Sequence, residues 1–449
     1  MIYYDVTDII NHAKFSTRVS GIQRVVLEGM KGLQGEFCIF FISPITGKTY
    51  KIEGLDGINI KDLTIFINLW VYADIYISDD SNSISEYINR FKNRSNKFKI
   101  ASFLYSIAKL SFITRRFSDR IIKSRIGKNI YIDKRLILSE LTHFKENSLV
   151  ALFGGVWNFQ DEYKKLFEGK LQKVKKIFMV YDMIPIVSPF VPDELKAMFK
   201  RYIPFVLEHT NNIVVNSESC KKDLINYAME NGDNIPEIDI IHLSHKLPAT
   251  DTNNVYHPLP LRTRKLSRET YALCVGSIES RKNHINLVLT WAKFFYSDEY
   301  ANQKLVIAGK WLWDTSELAA ALTYTGHVNG SIIVIPDASD DEITELYKNC
   351  RFTVYPSHYE GWGLPLGESL TAGKPCLHFD TSSLAEAGYG LTTAVKYLDY
   401  KTFNHQFKEI MTNDSYYETL VKKINDNEHI LRDWTDFSSD LREMFIRNI

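Results

Sequence analysis

Ten short runs, rich in β-branched and aromatic residues, recur along the chain with polar or helix-patterned segments between them. The first half holds FCIFFI (37–42), LTIFINL (63–69), LVALFG (149–154), KIFMVYD (176–182) and NIVVNS (212–217). The second holds YALCVGS (271–277), KLVIAG (304–309), SIIVIP (331–336), FTVYPS (352–357) and PCLHF (375–379). Runs so continuously apolar suit strands covered on both faces, as in parallel sheets. Helical spacing appears between them in INLVLTWAKFF (285–295) and DDEITELYKNC (340–350), the latter with Ser339 or Asp340 placed to cap it. This alternation predicts an α/β chain of doubly wound layers. At 449 residues it is too long for one ordinary core, so two domains are expected. The break falls in 247–270, a polar stretch with three prolines and no periodicity. The expected domains are 1–250 and 251–425, facing a central cleft at the carboxyl ends of their strands. Residues 426–449 end in LRDWTDFSSDLREMF, whose apolar spacing predicts a terminal amphipathic helix.

The chain is 45% hydrophobic and 24% charged, which excludes a disordered chain. Lys plus Arg number 54 and Asp plus Glu 54, so no net field draws it to nucleic acid or to a membrane. The cysteines Cys38, Cys220, Cys274, Cys350 and Cys376 are scattered and form no C-x-x-C pair. That pattern argues against zinc or a disulfide framework and fits a reducing cytoplasm. MIYYDVTDIIN at the start has acids and no basic n-region, so no signal peptide is expected, and no apolar run is long enough to predict a transmembrane helix. Residues 109–136 are strongly basic with interleaved aromatics and isoleucines. They suit a helix with a solvated basic face, or a patch that docks on anionic lipid or a charged acceptor.

Two stretches carry chemistry. GSIESRKNH (276–284) follows an apolar strand and precedes a helix. Gly276 lets backbone amides turn toward a ligand, and Arg281 and Lys282 sit where the helix begins. Two cations there oppose the helix dipole. They are either solvated charges on a surface loop or the grip on a bound anion, which Arg can hold bidentately. In HYEGWGLPLGESLTAGKP (358–375), Glu360 and Glu368 flank a loop of three glycines and a proline. Strand 352–357 leads into that loop, and LGESLTAG reads as a helix closed by Gly373. Glu368 is either an acid placed early in a helix for its dipole or a ligand; Glu360 is either a solvated loop acid or a ligand. A carboxylate accepts two hydroxyl protons at once, as a ribose or hexose diol offers them, and unhindered amides meet phosphate.

GSIESRKNH, KLVIAGK, PDASDDEITELY, YPSHYEGWGLPLGESLTAGKPCL and SSLAEAGYG occur in this order over about 270–395. Together they resemble the donor domain of retaining glycosyltransferases of family 4 (glycosyl transferases group 1), bacterial surface-polysaccharide type, with the GT-B fold of two Rossmann-like domains. The resemblance implies that Arg281 and Lys282 hold a donor diphosphate, that Glu368 binds the ribose, and that Glu360 contacts the donor sugar. It implies that amides of Gly361, Trp362, Gly363 and Leu364 meet sugar and phosphate, that Pro336 and Asp337 lie at the base, and that Lys310 follows a strand at the rim. Glu386 matches an acid that shapes the site.

STRVSGIQRVVLEGM (16–30) resembles the family's early glycine loop and helix, with Ser20 where a glycine is common; the amide near Gly21 would approach the phosphate, and Arg24 either assists or is structural. MVYDMIPIVSP (179–189) keeps Asp182, but Tyr181 stands where many relatives have His, which weakens any claim of an imidazole in the acceptor pocket. VNSESCKKDL (215–224) reads as strand, turn and helix start, capped by Ser217. The terminal helix is expected to pack back on the first domain.

The implied activity is transfer of a hexose, with GDP-mannose the first choice and UDP- and dTDP-sugars open, to a saccharide or lipid-linked oligosaccharide. Arg281, Lys282, Glu360 and Asp182 form the expected catalytic group. Neither Asp79–Asp80 nor Asp340–Asp341 sits in a metal-binding loop context, so no metal and no cofactor beyond the donor is expected. The expected location is cytoplasmic, peripheral at the inner membrane, in company with other polysaccharide-synthesis enzymes. The competing reading is a non-catalytic sugar-nucleotide-binding subunit, favoured by Tyr181.

Overall fold

The computed structural model of the chain describes residues 1–13, 19, 21–33, 35–43, 47–54, 137–246, 266 and 268–449. The expected strand at 63–69, Asp79–Asp80, the basic segment 109–136, Ser20 and most of the break at 247–270 lie outside them. The described residues build two sheets. The first contains β1 (Ile2–Asp5), β2 (Phe37–Ile42), β3 (Thr49–Glu53), β4 (Ile137–Glu140), β5 (Leu149–Leu152), β6 (Lys175–Val180), β7 (Asn212–Val215) and β8 (Glu237–Ile240), in the order β4-β3-β2-β1-β5-β6-β7-β8. The second contains β9 (Tyr271–Val275), β10 (Lys304–Ala308), β11 (Ile332–Ile335), β12 (Phe352–Tyr355), β13 (Cys376–Asp380) and β14 (Thr393–Lys396), in the order β11-β10-β9-β12-β13-β14.

Every neighbouring pair in the second sheet is parallel. The strand order reverses between β9 and β12, which makes that pair the switch point of a doubly wound sheet. In the first sheet β1 is parallel to both β2 and β5, and the reversal falls there. β3 runs antiparallel to β2 and β4, and β4 forms the edge of the sheet.

The apolar runs become the central strands because residues such as Leu149–Leu152 and Phe352–Tyr355 are buried along their whole length. The sequence reading missed β1, β3, β4, β8 and β14. TYKIE, ILSE, EIDI and TAVK interleave charged or hydroxyl residues with apolar ones over four or five positions, too few for a period-two signal.

The helices used below are α1 (Thr7–His12), α2 (Gly21–Lys31), α3 (Gln160–Glu168), α4 (Ile184–Val187), α5 (Asp193–His209), α6 (Glu218–Asn231), α7 (His284–Phe295), α8 (Ser316–Tyr324), α9 (Asp340–Asn349), α10 (Leu364–Thr371), α11 (Leu384–Ala387), α12 (Tyr400–Thr412), α13 (Asp414–Asp426) and α14 (Trp434–Asn448). Ser339 rather than Asp340 caps α9: its hydroxyl accepts from the Glu342 amide at 3.2 Å and Glu342 accepts from the Ser339 amide at 3.0 Å. Ser217 caps α6, accepting from the Cys220 amide at 3.1 Å. On α14 the buried positions Phe437, Leu441, Met444 and Phe445 follow helical spacing, and Phe445 stacks on Phe153 with ring centroids 5.9 Å apart.

The chain divides into two compact units, Met1–Ile177 with Phe445–Ile449, and Phe178–Met444. In the second unit, Leu346 and Tyr347 of α9, with Cys350 just after it, pack against Tyr271, Leu273, Val306, Ala308 and Ile335 of the sheet. No helix of the described residues is long and apolar enough to cross a membrane. None of the five cysteines is in a disulfide.

Candidate active site

The loops that leave β9 and β12 diverge at the switch point of the second sheet, where a parallel sheet opens a crevice at its carboxyl edge. The first loop begins at Gly276, whose φ is +146°. Its amide donates to the Ala308 carbonyl at 3.0 Å, and the Ile278 amide donates to the Lys310 carbonyl at 2.7 Å. The end of β10 comes so close that a Cβ on Gly309 would lie 1.7 Å from the Gly276 carbonyl oxygen, so only glycine fits there. A single 3₁₀ turn, Ser280–Lys282, then presents Arg281 and Lys282, and Asn283 enters α7 in the left-handed conformation with its side chain bonded to the Pro356 carbonyl at 2.9 Å.

The second loop is held to the first: the His358 amide donates to the Arg281 carbonyl at 2.9 Å. Its backbone is fixed from several sides. The Glu360 amide donates to the Ser382 hydroxyl at 2.8 Å, and the Ser383 hydroxyl donates to the carbonyls of Glu360 and Trp362 at 2.9 and 3.1 Å. Tyr359 donates its hydroxyl proton to Asp223, and Phe190 stacks on His358 at 4.2 Å. A Cβ on Gly361 would meet the Tyr181 carbonyl and the Asp182 side chain at 2.8 Å. Gly363, at φ +103°, turns the chain into α10.

These loops bring three of the expected residues into one buried ion cluster. Arg281 donates through Nη1 to Glu360 Oε2 at 2.9 Å and to the Tyr359 carbonyl, and through Nη2 to Glu279. Lys282 Nζ donates to Glu360 Oε1 at 2.5 Å. The Arg281, Lys282 and Glu360 side chains are 11%, 14% and 9% exposed, and that of Glu279 is 2% exposed. The two cations and two carboxylates cancel. Burial alone would raise the Glu360 carboxyl, but Lys282 and then Arg281 outweigh it and pull it down to about 2. Burial likewise works against the Arg281 charge, and Glu360 and Glu279 outweigh it, holding the guanidinium above its ordinary value. Asp182 accepts from the Ile184 amide at 3.0 Å, and burial pushes its carboxyl up in spite of Arg281.

The Glu360 shift carries a sign that acid can test. Its folded pKa lies below the ordinary 4.5, so its contribution to stability is full above pH 4.5 and is lost as pH falls from 4.5 toward 2. The contribution is about 3 kcal/mol. Because a protonated Glu360 resembles glutamine, the stability gap between wild type and Glu360→Gln is expected to close by that amount across this window. Urea unfolding at stepped pH measures it, and a gap that stays constant contradicts the assignment.

Glu368 is buried on α10 and accepts from the Tyr347 hydroxyl at 2.9 Å; Tyr347 also lies 3.3 Å from the Tyr355 hydroxyl. Trp362 is buried, its ring 4.9 Å from that of His242. Lys310, Pro336 and Asp337 are exposed beyond the carboxyl ends of β10 and β11. Gly21 opens α2 in the other compact unit, with Arg24 one turn on. Glu386 on α11 accepts from the Glu218 amide at 2.9 and 3.1 Å and bonds His242 Nε2 at 2.9 Å, so its carboxylate sits at the start of α6. The sequence reading overlooked Glu279, Tyr347, Ser382 and Ser383. Only Glu279 had a local signal, an acid two positions before Arg281. Among the described residues no group of three or more His, Cys, Asp or Glu side chains is arranged to hold a metal ion.

A family model described as glycosyl transferases group 1 matches residues 262–426. The serotype-specific mannosyltransferase WbdA of Escherichia coli is 24% identical over 270 residues, 58% of this chain and 32% of that protein. The O-antigen chain mannosyltransferase B of Escherichia coli is 30% identical over 126 residues, 28% of this chain and 32% of that protein. The match thus spans less than a third of either relative. Among solved structures, Anabaena Alr3699/HepE in complex with UDP and glucose superposes with a TM-score of 0.57 at 10% identity, covering 99% of each chain. Sucrose-phosphate synthase of Thermosynechococcus elongatus gives 0.56 at 12% identity, covering 99% of this chain and 98% of its own. At such identities the likeness concerns the fold.

Proposed function

We propose, on the premise that this chain has the GT-B fold and that its residues 262–426 belong to the glycosyl transferases group 1 family, that it is a retaining hexosyltransferase using a sugar nucleotide. The observation that carries the reading is the Arg281–Lys282–Glu360 cluster at the switch point between β9 and β12. A diphosphate leaving group needs its growing negative charge met by preorganised donors, and buried cations beside main-chain amides supply them. In this reading Arg281 and Lys282 hold the diphosphate. Amides of Gly361, Trp362, Gly363 and Leu364 meet phosphate and sugar. Glu368, oriented by Tyr347, accepts the ribose hydroxyls, and Glu360 accepts hydroxyls of the sugar. Lys310 lies at the rim, and Pro336 and Asp337 lie toward the base.

The step breaks the bond from the anomeric carbon to the phosphate oxygen, and the diphosphate departs with the electron pair. The acceptor hydroxyl attacks the same face, and its proton passes to an oxygen of the departing diphosphate, so configuration is retained. No metal enters this scheme. GDP-mannose is the donor proposed first, since relatives of this chain are mannosyltransferases; a saccharide or lipid-linked oligosaccharide of bacterial surface polysaccharide synthesis is the proposed acceptor.

Thermal unfolding in the presence of GDP, UDP, dTDP and their sugar conjugates tests the reading. A ligand that binds only the folded protein at a hundred times its Kd adds about 2.7 kcal/mol. One base is expected to raise the midpoint, and Glu368→Ala is expected to abolish the rise. No response to any of them contradicts the proposal. Binding without release of nucleoside diphosphate in the presence of acceptors favours instead the binding subunit that Tyr181 suggests.

A further inference from the structure

We propose that Glu360 is an internal counter-ion that makes the site prefer a sugar nucleotide over the bare nucleoside diphosphate. The inference rests on the diphosphate reading above. The carboxylate bridges both cations, Oε1 to Lys282 at 2.5 Å and Oε2 to Arg281 at 2.9 Å. An incoming diphosphate therefore finds its cations already neutralised. Carboxylate and phosphate cannot share them cheaply: two like charges 4 Å apart repel by about 4 kcal/mol where the effective dielectric is near 20. Glu360 must be displaced, and its amide and carbonyl are anchored by Ser382 and Ser383, so the movement falls to the side chain.

What the displaced carboxylate meets next differs between ligands. A hexose beside the diphosphate offers vicinal hydroxyls, and a carboxylate can accept two of them. A bare nucleoside diphosphate offers no donor in that place and brings a further negative charge. The lost ion pairs are thus replaced when the donor binds and are not replaced when the product remains. Glu360 weakens the product more than the substrate and promotes its release. Glu279 cannot do this, because it touches Arg281 alone of the two cations and is the more deeply buried acid.

The test is equilibrium binding of GDP, GDP-mannose, UDP and UDP-glucose to wild type, Glu360→Gln and Glu360→Asp, by titration calorimetry. Glutamine keeps an oxygen for sugar hydroxyls and removes the charge. It is expected to bind the bare diphosphate about tenfold more tightly, and the ratio of sugar-nucleotide to diphosphate affinity is expected to fall by at least about tenfold. Aspartate is one methylene shorter and cannot bridge both cations, so it is expected to fall between the two. It retains a charge for Arg281, which serves if the glutamine variant fails to fold. Unchanged or weaker diphosphate binding by whichever variants fold overturns the proposal and leaves Glu360 a brace for the cations. Wild type that binds none of these ligands, nor dTDP, overturns the diphosphate site itself, and this inference with it.

Discussion

Lys282→Ala is expected to lower sugar transfer by about 10²- to 10³-fold, the usual loss when one preorganised donor to a developing oxyanion is removed. The Lys282 ammonium bonds the Glu360 carboxylate and lies against Gly276, where a Cβ would sit 3.8 Å from Nζ. Its removal leaves Glu360 still paired with Arg281, so the fold suffers less than the reaction does. The loss should appear in kcat as well as in kcat/KM, because charge on the diphosphate grows most on the way to the transition state. Initial rates of nucleoside diphosphate release, with the sugar nucleotide selected by melting, measure it. A fall of less than about threefold would place Lys282 outside the leaving-group site.

Arg281→Ala is expected to act first on stability, with a loss of about 3–5 kcal/mol, because removing one partner of a buried ion cluster strands the other. Three acceptors converge on this guanidinium: Glu360, Glu279 and the Tyr359 carbonyl. Lysine carries a point charge and cannot reproduce the planar fork, so Arg281→Lys should recover only a minor part. Pairing Arg281→Ala with Glu279→Gln should recover more, by removing the stranded carboxylate. Urea denaturation compares these with Arg268→Ala, whose side chain is 76% exposed. Equal midpoints for Arg281→Ala and Arg268→Ala would contradict the structural role. Among the described residues, three of the guanidinium's five donors meet protein acceptors.

Strands β9 to β13 of the second sheet were readable because each is a continuous apolar run between turn residues, and parallel strands buried on both faces demand that; the edge strand β14, with its outer face open, was not. Gly276 and Gly363 were readable as loop glycines, whereas Gly309 stood only at the end of an apolar run, and its close approach to Gly276 explains it physically. The positions of Arg281 and Lys282 before α7, and of Glu368 within α10, follow from the same local rules. What local rules could not supply is the counter-charge. Two cations at a helix start suggested an external anion, whereas the chain provides one from Glu360, 78 positions further along, and a second from Glu279. Such pairing depends on which strands adjoin at the switch point, and spacing along the chain does not encode it. The strand β3 escaped notice for a related reason: TYKIE is held by its pairing with β2 and β4 rather than by its own composition.

The most direct measurement is a crystal structure of the protein with the nucleoside diphosphate that raises its melting point. The expected result is diphosphate density against Arg281, Lys282 and the amides of the 361–364 loop, a pentose on Glu368, and Glu360 turned off the two cations. Diphosphate bound elsewhere, with the Glu360 bridge to Arg281 and Lys282 intact, would contradict the assignment of this site.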